Sequence, residues 1–179
     1  MKRLFSITVV ALLFSVMFLV GVCVAAGPVP IPTTAKWTGT LYDVGFCSLE
    51  PLLIQTVNVG KGVSSIMGES NFLFVYCVDL STFTGSGWGI VTTAKGDRVH
   101  LTIPQIKVEF KTGLPSEWSE TEVIVGGTGK FENAIGTSIS HGTWTSGTAS
   151  FPYGTESPPL LDPPQGWVGT TEGEIEFTQ

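Results

Sequence analysis

Basic residues are scarce in this 179-residue sequence, which has nine Lys and Arg against 15 Asp and Glu. Two of the nine, Lys2 and Arg3, stand at the head of an N-terminal apolar run, so the remaining chain has seven basic residues and a net charge of −8. A chain this acidic is repelled by nucleic acid and by anionic membrane surfaces. The composition therefore excludes both nucleic acid and anionic membrane surfaces as partners.

Histidine and cysteine are also rare, which restricts the chemistry available. His100 and His141 are isolated, and neither lies in a motif that sets it beside a nucleophile. Cys23 lies in the apolar run, which leaves Cys47 and Cys77, and neither has a Cys or His at metal-ligand spacing. We therefore expect no metal and no cofactor. In an oxidising compartment the two cysteines form a disulfide, and two separate buried thiols are the alternative.

The N-terminus has the pattern of a secretory signal peptide. An apolar run from Leu4 to Val22 follows the two basic residues, and Val24-Ala25-Ala26 supplies small side chains for a signal peptidase. We predict a signal peptide over residues 1–26, no stable membrane insertion after its cleavage, and a secreted or periplasmic mature protein of 153 residues. The alternative is an uncleaved anchor, since the run approaches the roughly 20 residues of a spanning helix.

The mature sequence has almost no helical pattern. Gly, Thr, Ser and β-branched residues dominate, and apolar residues recur at spacing two. A Pro-rich leader over residues 27–36 precedes a single predicted domain, residues 37–179. The clearest hairpin joins Trp88–Ala94 to Arg98–Ile103, and the last strand, Trp167–Phe177, alternates between apolar and acidic residues. Eight short strands without intervening helices predict an all-β antiparallel barrel or sandwich.

The third predicted strand, Ser70–Leu80, is apolar on both faces. Such a strand is covered on both sides, either in a barrel with something packed outside it or through association of protomers. A central strand of a sandwich is the alternative. Aromatic residues of one face, together with Trp88 of the next predicted strand, are candidates to line an apolar cavity, although ordinary core packing explains each of them too. Two acidic residues lie on the opposite face and would bind or polarise a ligand if that face were the lumen. The ligand-binding candidates are Phe72, Phe74, Tyr76, Trp88, Glu69 and Asp79.

The segment from Gly126 to Gly136 reads Gly-Gly-Thr-Gly-Lys-Phe-Glu-Asn-Ala-Ile-Gly. A phosphate-binding loop needs a following helix, whereas strand residues follow here, so nucleotide binding is excluded. The glycines Gly126, Gly127 and Gly129 instead predict a tight turn with positive φ angles. We expect Phe131 to plug one end of the fold and the chain to reverse again near Gly136.

This segment resembles the glycine turn of allene oxide cyclase-like and dirigent-like barrels, and of uncharacterised secreted bacterial proteins that share it. Three shorter segments, Gly62–Gly68, Gly85–Gly87 and Ala94–Asp97, match the bacterial group in order and spacing. The resemblance implies an eight-stranded antiparallel, calycin-like barrel with a central cavity. It also implies a homo-oligomer, since the plant relatives are commonly trimeric. The catalytic residues of these families have no counterparts that can be assigned here, so the resemblance concerns the fold.

Three classes of function remain. The favoured one is a non-catalytic secreted barrel that binds an apolar small molecule or a partner. The second is a cofactor-free isomerase or cyclase of the allene oxide cyclase type. The third is a structural protein of the cell envelope.

Overall fold

The computed structural model describes residues 29–47, 53–111, 114–145 and 165–178, and arranges them as a closed antiparallel barrel of eight strands. Successive strands are neighbours, and the last strand pairs with the first. The predicted eight-stranded all-β barrel is therefore confirmed, and the sandwich is excluded. The strands are β1 (Ile31–Phe46), β2 (Leu53–Ser64), β3 (Gly68–Asp79), β4 (Thr84–Thr93), β5 (Arg98–Lys111), β6 (Leu114–Gly127), β7 (Ala134–Thr145) and β8 (Gln165–Phe177).

Several strands begin earlier than the sequence predicts, and the difference is largest for β1 and β6. β1 starts at Ile31, within the predicted leader, because Ile31 pairs with Ile175 of β8 and so has a partner strand despite the neighbouring prolines. β6 starts at Leu114, well before the apolar residues Val123-Ile124-Val125 that precede the glycine turn and predict a strand there. The predicted signal peptide, residues 1–26, lies outside the described residues, as do residues 27–28 of the leader.

The barrel interior is filled because large aromatic side chains lie across from glycines. A Cβ atom on Gly89 would lie 2.0 Å from the Phe74 ring, and one on Gly142 would lie 2.8 Å from the Trp118 ring. Inward-facing glycines of one strand thus make room for aromatic residues of another. This alternation of small and large residues is how a small barrel fills its interior with side chains.

The glycine turn closes one end of the barrel. Gly126 and Gly129 have φ angles of +133° and +59°, which L-residues rarely adopt. A short 3₁₀ turn over Gly129–Phe131 follows, and the Phe131 side chain is 0% exposed. The burial of Phe131 agrees with the predicted plug. The predicted second reversal does not fall at Gly136, because Gly136 lies within β7, where it pairs with Ile175 of β8.

Cys47 and Cys77 lie at disulfide-bonding distance, with their Cα atoms 5.9 Å apart. Cys47 directly follows β1 and Cys77 lies in β3, so the link spans β2. Closing the loop between them restricts the unfolded chain by about 3–4 kcal/mol on the chain-entropy model. The predicted pairing agrees with this geometry.

The outer surface of β2, β3 and β4 carries a contiguous group of apolar side chains, which we call the outer apolar patch. The strand register places Leu73 between Val59 and Ile90. Leu73 is 39% exposed, so the second apolar face of β3 is only partly covered by its neighbours. The patch consists of Val57, Val59, Leu73, Val75, Trp88 and Ile90.

No helix in the described ranges is long and apolar enough to span a membrane.

Candidate functional site

The structure divides the six predicted ligand-binding residues between the two faces of the barrel wall. Phe72, Phe74 and Tyr76 are buried in the interior, where the Phe72 and Phe74 ring centroids are 5.0 Å apart. In contrast, Trp88 is 48% exposed and belongs to the outer apolar patch. Its neighbours along β4 are glycines, and these, rather than the large side chain, face inward.

The two predicted acidic residues also lie on the outside. Glu69 is exposed, because it lies on the outer face at the start of β3, next to the buried Ser70. At the other end of that strand Asp79 accepts hydrogen bonds from the backbone N–H and hydroxyl of Ser81, at 2.7 and 2.6 Å. These bonds lower the pKa of Asp79. Asp79 therefore stabilises the turn after β3 and does not face the lumen.

Two other acidic residues occupy the interior. Glu120 and Glu122 are 4% and 5% exposed, and both lie on the inner face of β6. The sequence contains a signal for this placement, since Trp118 and Ile124 have the same even-numbered parity and are buried beside them. We call Glu120 and Glu122 the carboxyl pair.

Hydroxyl groups from β7 bind Glu122 on both of its oxygens. Ser138 Oγ donates to Oε2 and Ser140 Oγ donates to Oε1, each at 2.6 Å. The register of the strands explains the arrangement, because Glu122 pairs with Ser138 and Glu120 pairs with Ser140. Hydrogen bonds of this kind stabilise an ionised carboxylate.

The donors to Glu122 extend into a chain of hydrogen bonds across four strands. The Ser140 and Thr171 hydroxyls are 2.5 Å apart, and Trp37 Nε1 donates to Thr171 Oγ1 at 2.9 Å. Because Ser140 has one proton and donates it to Glu122, Thr171 must donate to Ser140. The donors are therefore oriented from Trp37 through Thr171 and Ser140 to Glu122.

A second polar chain approaches Glu120. Trp167 Nε1 donates to Asn58 Oδ1 at 2.8 Å. Asn58 interacts with the Tyr76 hydroxyl, and that hydroxyl hydrogen-bonds to Glu120. The polar groups of the interior thus converge on the carboxyl pair from both sides.

In these apolar surroundings Glu122 is better placed than Glu120 to hold a negative charge. Burial raises the pKa of Glu120 well above its usual range, and the charge of Glu122 raises it further. Burial also raises the pKa of Glu122, but the hydrogen bonds from Ser138, Ser140 and Glu120 oppose this shift. Of the two carboxyls, Glu120 therefore holds a proton more readily and is the donor to Glu122, and Glu122 is the better able to be charged. Burial and the neighbouring Glu120 carboxyl also raise the pKa of Tyr76.

No basic side chain neutralises this charge within the described interior. Each Lys and Arg whose side chain the structure describes is exposed to solvent: Lys36, Lys61, Lys95, Arg98, Lys107 and Lys130. An uncompensated buried charge is costly, and its retention is typical of functional sites.

Several buried polar atoms near the pair have no hydrogen-bond partner in the described part of the chain. They include Glu120 Oε2, Thr56 Oγ1 and Trp118 Nε1. Leaving a buried polar group unpaired costs about 1–3 kcal/mol, so such atoms usually bind water or a ligand.

A cavity of about 40 Å³ adjoins Glu122. Glu122, Ser138 and Thr171 form its polar floor, and its rim includes Ile66 and Met67 from the turn between β2 and β3. The walls are mostly apolar and include two aromatic residues, and the hydroxyl-bearing residues Thr33 and Ser64 also line the cavity. The apolar wall residues are Ala35, Trp37, Phe74, Val91, Val99, Leu101, Ile124 and Ile175.

Among the described residues, no group of three or more His, Cys, Asp or Glu side chains is placed to hold a metal ion. Comparisons of the chain with family models, curated proteins and solved structures gave no match. Function is therefore inferred from the carboxyl pair and its cavity.

Proposed function

We propose that this protein is a non-catalytic binding barrel that acts outside the cytoplasm and holds one polar group of a small, largely apolar molecule at Glu122. The observation that carries this proposal is the cavity beside Glu122, which combines apolar walls with a polar floor. Ligand sites commonly have this composition, with a few polar groups fixing the orientation of an apolar ligand.

The energetic cost of the carboxyl pair supports a functional role. Two buried acids without a cation destabilise the folded barrel, and apolar residues of similar volume would be more stable there. A binding role accounts for the buried Glu122 carboxyl, because a ligand in the adjoining cavity would interact with it.

The size of the cavity limits what lies at Glu122. Drug-sized ligands occupy sites of roughly 300–1,000 Å³, whereas this cavity measures about 40 Å³. The group that reaches Glu122 therefore has only a few non-hydrogen atoms. A larger remainder of the ligand would displace Ile66 and Met67 at the rim, which are only partly buried.

Two features support a site of action outside the cytoplasm. Residues 1–26 have the pattern of a cleaved signal peptide. The Cys47–Cys77 pair has the spacing of a disulfide, which is stable in oxidising compartments.

The test is native mass spectrometry of the mature protein, purified without denaturant, together with thermal unfolding in the presence of small probe molecules. We expect a retained small molecule or a probe that raises the unfolding temperature. Ala35→Leu fills the cavity and should abolish both effects, with Ala35→Val as a smaller replacement if the leucine variant does not fold. Val63→Leu, on the outer surface, is the matched control and should leave both effects unchanged. A protein that neither retains a molecule nor responds to any probe would contradict the proposal.

One observation favours a second candidate, a cofactor-free isomerase or cyclase. Burial raises the pKa of Glu120, which contacts Tyr76 and has an unpaired oxygen, a combination suited to general acid–base catalysis. If Glu120 exchanges protons with the bound molecule, that molecule should gain deuterium at carbon when the protein is incubated in D₂O. The gain should disappear in Glu120→Gln while binding persists. Binding without deuterium uptake favours the non-catalytic function.

A further inference from the structure

The hydrogen-bonding capacity of the cavity floor restricts the chemistry of its ligand. Ser138 and Ser140 each have one hydroxyl proton, and both protons are directed to Glu122. Thr171 directs its proton to Ser140, and the Trp37 N–H is directed to Thr171. These floor residues therefore have no free donor, whereas the hydroxyls of Thr33 and Ser64, which also line the cavity, lie outside the floor, with Ser64 beside Ile66 and Met67. The floor offers only the lone pairs of Glu122, Ser138 and Thr171, so a polar group bound there must donate hydrogen bonds.

The charge of the floor restricts the ligand further. Glu122 accepts from two serine hydroxyls on its two oxygens and also interacts with the Glu120 carboxyl, an arrangement that suits a carboxylate. The described Lys and Arg side chains are exposed and do not neutralise it. Glu120 Oε2, in the same pair, has no protein partner. A neutral donor such as an alcohol would leave this charge uncompensated, and an anion would add a second one.

The walls and the overall charge favour the same class of ligand. Trp37 and Phe74 line the cavity, and the faces of aromatic rings attract cations. After removal of the predicted signal peptide, the chain has a net charge of −8, which attracts cations over longer distances.

We propose that the group held at Glu122 is a protonated amine, so that the ligand is a small organic cation with an apolar body. This inference rests on the proposed binding function and specifies the ligand class for the same site. The ammonium group donates hydrogen bonds to Glu122 and to the hydroxyl oxygens of the floor, and the aromatic walls contact its apolar part. The binding step involves no covalent change.

The test compares three probes of nearly equal shape: isobutylammonium, isobutanol and isobutyrate. Each is titrated into the mature protein at pH 7 and low ionic strength, and affinity is measured by calorimetry and by the shift in unfolding temperature. We expect isobutylammonium to bind at least about tenfold more tightly than isobutanol, from cation–π and charge-assisted contacts together, and isobutyrate not to bind.

Glu122→Gln should remove the preference for the ammonium probe, because it removes the charge while keeping the shape of the side chain. Glu174→Gln removes an exposed glutamate of β8 and should keep the preference. If Glu122→Gln does not fold, the comparison of the three probes on the unaltered protein decides the matter alone. Equal or tighter binding of isobutanol would overturn the amine assignment and leave the binding function standing. Failure of all three probes, with no retained molecule in native mass spectra, would overturn both.

Discussion

Two strands of this barrel carry glutamate at alternate positions, yet they direct those side chains to opposite sides. In β6, Glu120 and Glu122 are buried in the interior, whereas in β8 Glu172 and Glu174 are exposed. The difference follows from the apolar residues of each strand. Trp118 shares the parity of the β6 glutamates, while the buried residues of β8 alternate with its glutamates. The largest apolar side chains of a strand, rather than its charges, determine which face is buried.

The opposite orientation of β6, with both glutamates facing solvent, would make the fold less stable. A shift by one residue would expose Trp118 and Ile124 along with the glutamates, because every side chain changes face. Burial of the Trp118 and Ile124 side chains therefore compensates for burial of the two acids. Ser138 and Ser140 reduce the remaining cost by binding Glu122.

The largest effect should come from removing the apolar residue that keeps β6 in register. Trp118→Ala deletes a buried ring that contacts Trp167, with ring centroids 5.0 Å apart. We expect a loss of about 3–5 kcal/mol in the free energy of unfolding, measured by urea denaturation. Val168→Ala, on the outer face of β8, is the control and should cost much less. Equal losses for the two variants would contradict the role given to Trp118.

A smaller loss should follow from interrupting the donor chain to Glu122. Ser140→Ala leaves one Glu122 oxygen and the Thr171 hydroxyl without this partner. We expect a loss of about 1–3 kcal/mol at neutral pH, because a buried charged group becomes unsatisfied. Thr143→Ala, an exposed residue of the same strand, should change the unfolding free energy only slightly. The loss in Ser140→Ala should shrink in acid, where Glu122 becomes protonated, and a loss that grows in acid would refute the proposed charge on Glu122.

The pH dependence of stability should also distinguish the buried glutamates of β6 from the exposed glutamates of β8. The pKa of Glu120 is higher in the folded protein than the ordinary value of 4.5, so the folded state binds more protons than the unfolded state. This contribution to stability is fully present below the ordinary pKa, and it is lost as the pH rises through the pKa that Glu120 has in the folded protein. We therefore expect the double variant Glu120→Gln/Glu122→Gln to lose less stability than the unaltered protein as pH rises from about 4 to 8. Parallel curves for the two proteins would contradict this assignment.

The smallest effect should come from the exposed glutamates. Glu174→Gln removes a charge that faces water, so the unfolding free energy should change by less than about 0.5 kcal/mol. The same measurement on Glu122→Gln provides the comparison, and we expect a clearly larger change there at neutral pH. A similar small change in both would mean that the interior tolerates the Glu122 charge as easily as solvent does.

The fold was predictable from the sequence because its main determinants are local. Alternation at spacing two indicated the strands, and the glycine turn indicated the plug formed by Phe131. The aromatic part of the interior was predictable for the same reason, since Phe72, Phe74 and Tyr76 share one face of a long apolar strand.

The carboxyl pair was not predicted, because its burial depends on contacts between strands. Charged residues are usually exposed, and the hydrogen bonds from Ser138 and Ser140 of β7 and from Glu120 reduce the cost of burying Glu122. Trp88 was assigned to the wrong side for a related reason. The inner face of β4 carries Gly87 and Gly89, whose inward direction becomes apparent only when the rings of Tyr76 and Phe74 are seen to occupy the space beside them.

The donor chain that ends at Glu122 has a consequence for the order of folding. Trp37 belongs to the first strand, Thr171 to the last, and Ser140 and Glu122 to the two strands before it. During synthesis the Glu122 side chain is therefore made well before the residue that orients its donors. Only when the C-terminal strand pairs with the N-terminal one is the donor chain that leads to this carboxylate complete. Closure of the barrel and completion of this chain are thus the same event, so a chain that ends before β8 lacks both.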